Sequence, residues 1–189
     1  YLKQRTQLKN KIHGEQALGI PSKAVFRSLN RSKKILDKEI KSLETRLLSL
    51  VKAEHQQQLT NLKSIPGLGD KTAALLIVLT DGFTKFETAS QLCSFAGTTP
   101  TIRQSGSSVR GKSRISKMGN QKLRNLLFLC AFSASKYNTA CRKIYERIIA
   151  KGKSKKLALI AVINKLIKQA FAIAKSGLPY DPNYATKLN

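Results

Sequence analysis

Residues 62–79 read LKSIPGLGDKTAALLIVL, and this stretch decides the fold. Pro66, Gly67 and Gly69 favour a tight turn, because proline fixes φ and glycine tolerates backbone conformations that other residues avoid. A helix that begins near Asp70 has one apolar side, formed by Ala73, Leu76, Ile77 and Thr80. The spacing predicts a helix-hairpin-helix motif within a mainly α-helical protein.

The glycines of this motif allow a phosphate to approach the hairpin backbone. The N-terminus of the following helix adds a partial positive charge, and Lys71 stands where it can contact the same phosphate. We therefore predict that Gly67, Gly69 and Lys71 bind a nucleic-acid backbone without reading its sequence. The alternative is an ordinary helical hairpin that has no ligand.

Upstream, residues 22–62 show a heptad pattern. Its apolar positions are Leu29, Leu36, Leu43 and Leu50, with Ile40 and Leu47 between them. The pattern predicts a long helix with a coiled-coil-like seam of about three heptads. This helix either assembles subunits as a helical pair or packs on its own domain. For residues 1–21 the sequence predicts a short helix to about His13, followed by a loop.

Downstream, capping residues delimit four further helices. Thr88 begins one that Gly97 ends, and Asn120 and Ser154 cap two others. The fourth runs from about Thr139 to Lys151. Phe83 and Phe86 are expected in the core, Leu157 on the apolar face of the last helix, and residues 180–189 in a loosely held tail.

The segment 98–124 combines cations, serines and glycines, and it lacks acidic residues. Serine, glycine and threonine favour turns and extended chain, so we expect a flexible cationic loop up to Gly119. Such a loop suits phosphate groups, because arginine offers a planar fork of donors. The predicted nucleic-acid contacts here are Arg103, Arg110, Lys112, Arg114, Lys117, Lys122 and Arg124.

The charge balance points to a polyanionic partner. The chain carries a net charge of +25, and residues 88–180 contain 18 Lys and Arg with Glu146 as the single acid. An enzyme of small metabolites rarely needs this charge, whereas a nucleic-acid-binding protein does. A basic structural protein is the alternative. Aromatic residues make up only 6%, so stacking platforms for single-stranded bases are sparse.

The remaining composition excludes other classes. Three cysteines lack the CxxC spacing, no zinc site is legible, and Cys93 and Cys130 are expected to be buried. The apolar runs look too short to span a bilayer. Because the chain begins at Tyr1 instead of Met, we expect it to be a fragment.

Ser105 is the best-placed nucleophile in the loop. It follows the extended segment TIRQ and precedes Gly106, which allows a sharp and exposed turn. Attack on a DNA phosphodiester would leave a phosphoserine link that conserves bond energy, and Arg103, Arg110 and Arg114 would stabilise the developing charge. The loop supplies no His, Asp or Glu as a base. A phosphate-clamping loop without chemistry is the alternative.

Four motifs occur in order: IPGLGDKTAALLI, TKFETASQLCSFAGTTP, IRQSG and RISKMGNQKLRNLLFLCA. Together they resemble the C-terminal transposase domain of an insertion-sequence family, whose members carry a RuvC-like DEDD nuclease domain, a coiled coil and a serine-bearing domain. In mechanism these resemble recombinases guided by a bridge RNA. The resemblance divides the chain into a coiled-coil region (1–58), a transposase domain with the helix-hairpin-helix (59–184) and a tail (185–189). It implies that Ser105 is the catalytic serine. The matching framework positions are Gly97, Pro100, Gly106, Gly119, Asn120, Leu123 and Arg124.

The resemblance also implies a function and partners. The function is DNA recombination during transposition in the bacterial cytoplasm, at the nucleoid, with DNA and a structured guide RNA as partners and a homo-oligomer formed through the coiled coil. Mg²⁺ is implied for the whole enzyme, and no metal or membrane for this piece. Asp37, Glu39 and Glu44 are surface charges instead of a nuclease quartet, so the piece is expected to be inactive alone. The alternatives are a non-catalytic nucleic-acid-binding module and a basic assembly protein.

Overall fold

The computed structural model describes the following residues, with 104–105 and 109–110 as backbone: 1–19, 22–101, 104–105, 109–110 and 114–183. Seven helices hold most of these described residues, which confirms the mainly α-helical prediction. The chain divides into two units, Tyr1–Leu50 and Val51–Asn189. The division precedes residue 58, where the resemblance placed the end of the coiled-coil region.

The first unit contains α1 (Leu2–Ala17) and the beginning of α2 (Lys23–Lys63). The predicted end of α1 near His13 is wrong, because the helix continues through Gly14. A glycine weakens a helix interior by about 1 kcal/mol but does not stop it. The carbonyl of Gly14 then accepts a bond from Leu18 N–H in the last turn. α2 confirms the predicted long helix, and its backbone departs from helical geometry at His55 (φ −131°, ψ 36°).

Asp37 ties α1 to α2 within this unit. Lys33 Nζ donates to Asp37 Oδ2 at 2.8 Å, and Arg5 Nη1 lies 3.7 Å from Asp37 Oδ1. The hydrogen bond from Lys33, helped by the nearby positive charges, lowers the pKa of the Asp37 carboxyl. This carboxylate therefore takes part in ion pairs at the surface of the unit.

The leucine seam of α2 is uneven. Ile40 is buried, whereas Leu43, Leu47 and Leu50 are 47%, 38% and 57% exposed. The second half of the seam is therefore largely exposed, and subunit assembly and packing on its own domain both stay predictions.

The second unit is built around its last helix. Its five complete helices are α3 (Asp70–Thr80), α4 (Ala89–Ala96), α5 (Gln121–Tyr137), α6 (Thr139–Ala150) and α7 (Lys155–Ser176). α4, α5 and α6 pack against α7, and α3 packs against α5. The buried residues of α7 are Ala158, Leu159, Val162, Ile163, Leu166, Ile167, Ala170 and Ile173. Leu157 was wrongly expected on this face. It is 48% exposed, because eleven residues of helix rotation put it on the same side as the exposed Lys168.

One described helix, α7, is long and apolar enough to cross a membrane by length and composition, so the expectation that every apolar run is too short was wrong. Its packing against three neighbouring helices gives its apolar residues a protein environment.

The predicted caps are confirmed, and so is the core position of Phe83, whereas Phe86, which was also expected in the core, is only half-buried. Thr88 and Gln91 form a capping box at α4, and Gly97 ends that helix with a left-handed φ of 70°. Asn120 Oδ1 accepts from Leu123 N–H at 2.9 Å, and Ser154 Oγ accepts from Leu157 N–H at 3.4 Å. The predicted core residue Phe83 is fully buried and meets Phe171 edge to face at 6.3 Å.

The region expected to be a flexible loop contains short paired strands among its described residues. β1 (Pro100–Thr101) pairs antiparallel with β4 (Arg114–Ile115), and β2 (Gln104–Ser105) pairs antiparallel with β3 (Val109–Arg110). The two pairs are nested in the sequence, and we call these four described strands the hairpin arm. Its strands lack apolar alternation, and the sequence therefore carries little sign of them.

Residues 177–181 follow α7 back across the unit. Asn61 Nδ2 donates to Gly177 O at 2.6 Å, and Tyr180 N–H donates to Ser64 Oγ at 2.7 Å. Tyr180 OH also donates to Asn138 Oδ1 at 3.2 Å. The expected loose tail is therefore wrong for Tyr180, while residues 184–189 lie outside the described part.

Candidate nucleic-acid interface

Ser105 lies at the outer end of the described pairing in the hairpin arm. Its Cα partner is Val109, and Gln104 stands opposite Arg110. Three residues, 106–108, connect these two strands. Position 105 is therefore the last residue of β2, paired with the first residue of β3. The predicted contacts Arg103 and Lys112, and the framework glycine Gly106, lie outside the described residues.

The root of the arm is fixed by backbone hydrogen bonds to the end of α4. Ser116 N–H donates to Thr99 O at 2.9 Å, and Lys117 N–H donates to Gly97 O at 3.2 Å. Asn120 N–H donates to Phe95 O at 2.8 Å. The chain thus leaves and re-enters the helical domain at one point, and Asn120 there begins α5.

Two glycines allow two segments of the chain to pass close to each other at this root. A Cβ on Gly119 would lie 2.2 Å from Phe95 O, and one on Gly97 would lie 2.7 Å from Met118 O. Gly119 also has a φ of +133°, which L-amino-acid side chains rarely adopt. The two positions matched by the family resemblance therefore have a steric reason to be glycine.

Side chains complete the root. Thr98 is buried and its Oγ1 donates to Asn164 Oδ1 on α7 at 2.6 Å, while Asn164 Nδ2 donates to Thr98 O at 3.4 Å. Arg124 is half-buried, and its Nη1 donates to Ala96 O at 2.9 Å. A cation on the last carbonyls of a helix stabilises its C-terminus. Arg124 thus supports α4, and its predicted nucleic-acid contact stays a prediction.

Three predicted contacts are free to reach outward from the arm and its root. Arg114, Lys117 and Lys122 are all exposed, and none takes part in an ion pair within the described part of the chain. Their side chains add three unneutralised positive charges close to the same point. This is the electrostatic setting that a phosphodiester backbone requires.

The second predicted element is the Ser64–Gly69 connection, in which one glycine is packed against α5 and the other is open to solvent. Gly67 has a φ of +100°, and a Cβ there would lie 2.7 Å from Ala134 on α5, so this glycine serves helix packing. Gly69 is the N-cap of α3 and faces open space, and Lys71 is exposed. Asp70 already places a carboxylate in the first turn of α3, paired with Lys63 Nζ at 2.7 Å. The helix-hairpin-helix therefore stays a prediction as a phosphate site.

The Ser64–Gly69 connection and the arm root contact α5 at different positions along its axis. The connection contacts α5 at Ala134 and the arm root contacts it at Arg124. Ten residues of helix separate these positions by about 15 Å. A single phosphate cannot bridge this distance, so the two elements would contact separate phosphates along one nucleic acid.

A cysteine nucleophile or a metal-binding cluster would be another kind of site among the described residues. Burial raises the pKa of the Cys141 thiol to about 12 and also raises the pKa of Cys93, so neither is a ready nucleophile. All three cysteines are buried, as expected for Cys93 and Cys130. Among the described residues no cluster of three His, Cys, Asp or Glu side chains can hold a metal ion.

A group of cations at the α6–α7 turn is absent from the predicted contacts. These residues are Lys143, Arg147, Lys151, Lys153, Lys155 and Lys156, and all are exposed. The run KGKSKK was visible in the sequence. The helix ends at residues 150 and 155 bring it together with the two cations on α6.

Comparison with known proteins shows what this helical domain is similar to. Residues 59–146 match the model described as "Transposase IS116/IS110/IS902 family", so this part of the chain is similar to that family.

Curated relatives show the same similarity. The "Insertion element IS110 uncharacterized 43.6 kDa protein" of Streptomyces coelicolor is 33% identical over 171 residues, which are 88% of this chain and 42% of the relative. The "Pilin gene-inverting protein" of Moraxella lacunata is 39% identical over 123 residues, 64% of this chain and 38% of the relative. Its Moraxella bovis counterpart is 37% identical over 122 residues, with the same coverage. The chain spans about two fifths of the length of these curated relatives.

Proposed function

We propose that this chain is the DNA-binding and strand-exchanging part of a transposase, in which the hairpin arm lies against the DNA backbone and Ser105 is the nucleophile. Support comes first from the arm: Ser105 is the last residue of β2, and the root of the arm carries exposed cations. The relatives named for an insertion element and for pilin gene inversion agree with DNA rearrangement.

The proposed step is a phosphoryl transfer. Ser105 Oγ forms a bond to phosphorus, the bond from phosphorus to one bridging sugar oxygen breaks, and the leaving sugar hydroxyl takes up a proton. The phosphoserine link keeps the energy of the broken bond for rejoining. Arg110 and Arg114 would stabilise the charge that develops on the phosphoryl oxygens.

The proton on Ser105 needs an acceptor from outside the arm. Residues 88–145 contain no acid and no histidine, so we expect the base to be a group from elsewhere in the protein, metal-bound water or the substrate phosphate. The same composition favours the second candidate function, a clamp that binds nucleic acid without chemistry. In that case the arm would bind phosphate and Ser105 would not react.

Assembly and a second polyanion belong to the same proposal. The exposed leucines Leu43, Leu47 and Leu50 would pair with a second copy through the coiled-coil seam. A structured guide RNA offers the same phosphodiester chemistry as DNA, and Mg²⁺ would be held by residues outside the described part. Such a protein would act on the bacterial nucleoid in the cytoplasm.

Ser105→Ala in the complete gene product tests the proposal. The assay incubates the protein with a labelled DNA substrate and resolves covalent protein–DNA adducts on a denaturing gel. Ser105→Ala should abolish the adduct while leaving DNA binding intact, and Ser107→Ala is the matched control that should keep both. An adduct that persists in Ser105→Ala removes the nucleophile assignment. Intact binding with no adduct from the parent protein favours the clamp.

A further inference from the structure

The α6–α7 turn carries positive charge that the arm does not account for. Residues 142–156 contain seven Lys and Arg and the single acid Glu146. We call the exposed cations Lys143, Arg147, Lys151, Lys153, Lys155 and Lys156 the cationic turn. No ion pair within the described part of the chain neutralises any of them.

The placement of these charges works against folding. Lys155 and Lys156 occupy the first turn of α7, which has no acidic residue, so they face the positive end of the helix dipole. Lys143, Arg147 and Lys151 follow one another at intervals of four residues, and like charges at that spacing repel. A bound polyanion would relieve both repulsions.

The geometry suits an extended polyanion better than a small anion. The three cations along α6 rise by about 6 Å per step, so they span about 12 Å. The turn adds three lysines at the end of that row. Small anions need converging donors, whereas a row of separated cations matches the repeated phosphates of a nucleic-acid backbone.

The cationic turn is also close enough to the arm to share a ligand. Asn164, which holds the arm root through Thr98, lies nine residues along α7 from Lys155. That separation is about 14 Å along the helix axis. It corresponds to about four steps of 3.4 Å along one strand of a duplex.

We propose that the cationic turn is a second phosphodiester-binding surface, which holds the same nucleic acid a few base pairs from the hairpin arm. The inference extends the proposed function, since it assumes a nucleic-acid ligand, but it does not require Ser105 to react. The surface suits backbone contacts more than base reading, because five of its six cations are lysines, which act as point charges.

The test replaces Lys151, Lys153, Lys155 and Lys156 by glutamine in the complete gene product. Binding to a duplex DNA and, separately, to an RNA hairpin is measured by fluorescence anisotropy between about 50 and 200 mM salt. The matched control carries the same charge loss on α2 of the first unit: K23Q, K34Q, K38Q and K41Q, all at exposed positions. A third variant, R110Q with R114Q, reports on the arm.

We expect the cationic-turn variant to bind at least about tenfold more weakly than the control, with a salt slope lower by about 2 to 4. The nucleic acid that shows the loss is the ligand of the surface. The melting temperature of the cationic-turn variant, measured without nucleic acid, should equal or exceed that of the parent protein, since repulsive charges are removed.

Two results separate the inference from the proposed function. Binding equal to that of the α2 control, together with weaker binding of the arm variant, overturns the inference and leaves the arm proposal intact. Weaker binding of the cationic-turn variant with an unaffected arm variant supports the inference and removes the arm as the DNA contact. A lower melting temperature of the cationic-turn variant contradicts the view that its charges serve a ligand.

Discussion

Gly119→Ala tests whether the arm root is built on a close chain crossing. Two costs follow from the structure. The φ of +133° is strained for alanine by about 1–3 kcal/mol. The new Cβ would also lie 2.2 Å from Phe95 O, so Phe95 must move and its bond from Asn120 N–H weakens, at about 1 kcal/mol. The sum is a loss of about 2–4 kcal/mol in the free energy of unfolding.

Gly152→Ala is the matched control, because Gly152 also has a positive φ (+68°) but a Cβ there meets nothing within 4 Å. Its expected loss is only about 1–2 kcal/mol. Urea unfolding followed by far-UV circular dichroism gives both values, and hydrogen exchange reports the amide of Asn120. Equal losses for the two variants, with unchanged exchange at Asn120, would refute the close crossing.

Three further predictions concern the rest of the chain. Asn138→Ala should lower the free energy of unfolding by about 2–4 kcal/mol, because Asn138 caps α6 and accepts from Tyr180 OH in a buried site; urea unfolding measures it. Since the folded pKa of Cys141 is about 12, above its unfolded value, stability should fall from about pH 9 upward, by about 1.4 kcal/mol per pH unit; urea unfolding at about pH 8 and about pH 10 measures the slope. Leu43→Ser with Leu47→Ser should reduce the oligomer mass in analytical ultracentrifugation, because both leucines are exposed.

Each of these has its own contrary outcome. An Asn138→Ala protein as stable as the parent would mean that the buried network does not hold the C-terminal segment. Cys141→Ala should remove the added pH slope, and a slope that survives belongs to other groups. If the double serine variant keeps its mass while its stability falls, the seam packs within one chain.

The sequence predicts the helices of this protein well, because their ends carry local signals. Thr88, Asn120 and Ser154 each cap a helix with their own side chain, and Gly97 ends α4 in the left-handed conformation that glycine favours. These signals act over three or four residues and are legible without a fold.

Tertiary contacts decide the features that the sequence does not reveal. The strands of the hairpin arm pair Pro100 with Ile115 across a polar segment, and no apolar alternation announces them. Tyr180 is held by Asn138, which lies 42 residues away in the chain. Gly67 looked like a phosphate-binding glycine, yet its open side is filled by Ala134 of α5. Such contacts depend on which helices meet.

The sequence predicts which kinds of residues form the candidate site, but it does not predict how their side chains are arranged. The dense cations of residues 98–124 indicated a polyanion ligand from the sequence. The sequence does not show that these cations differ in role. In the structure Arg124 is half-buried and supports α4, whereas Lys122 beside it is exposed.

Peptide mapping of the covalent DNA adduct tests the central claim most directly. Trypsin cleaves after Arg103 and Arg110 and releases QSGSSVR, which contains Ser105, Ser107 and Ser108. Tandem mass spectrometry of this peptide, after nuclease digestion of the bound DNA, locates the attached nucleotide. We predict a phosphodiester on Ser105. A nucleotide on either of the other two serines, or an unmodified peptide from a protein that still joins DNA strands, would contradict the account.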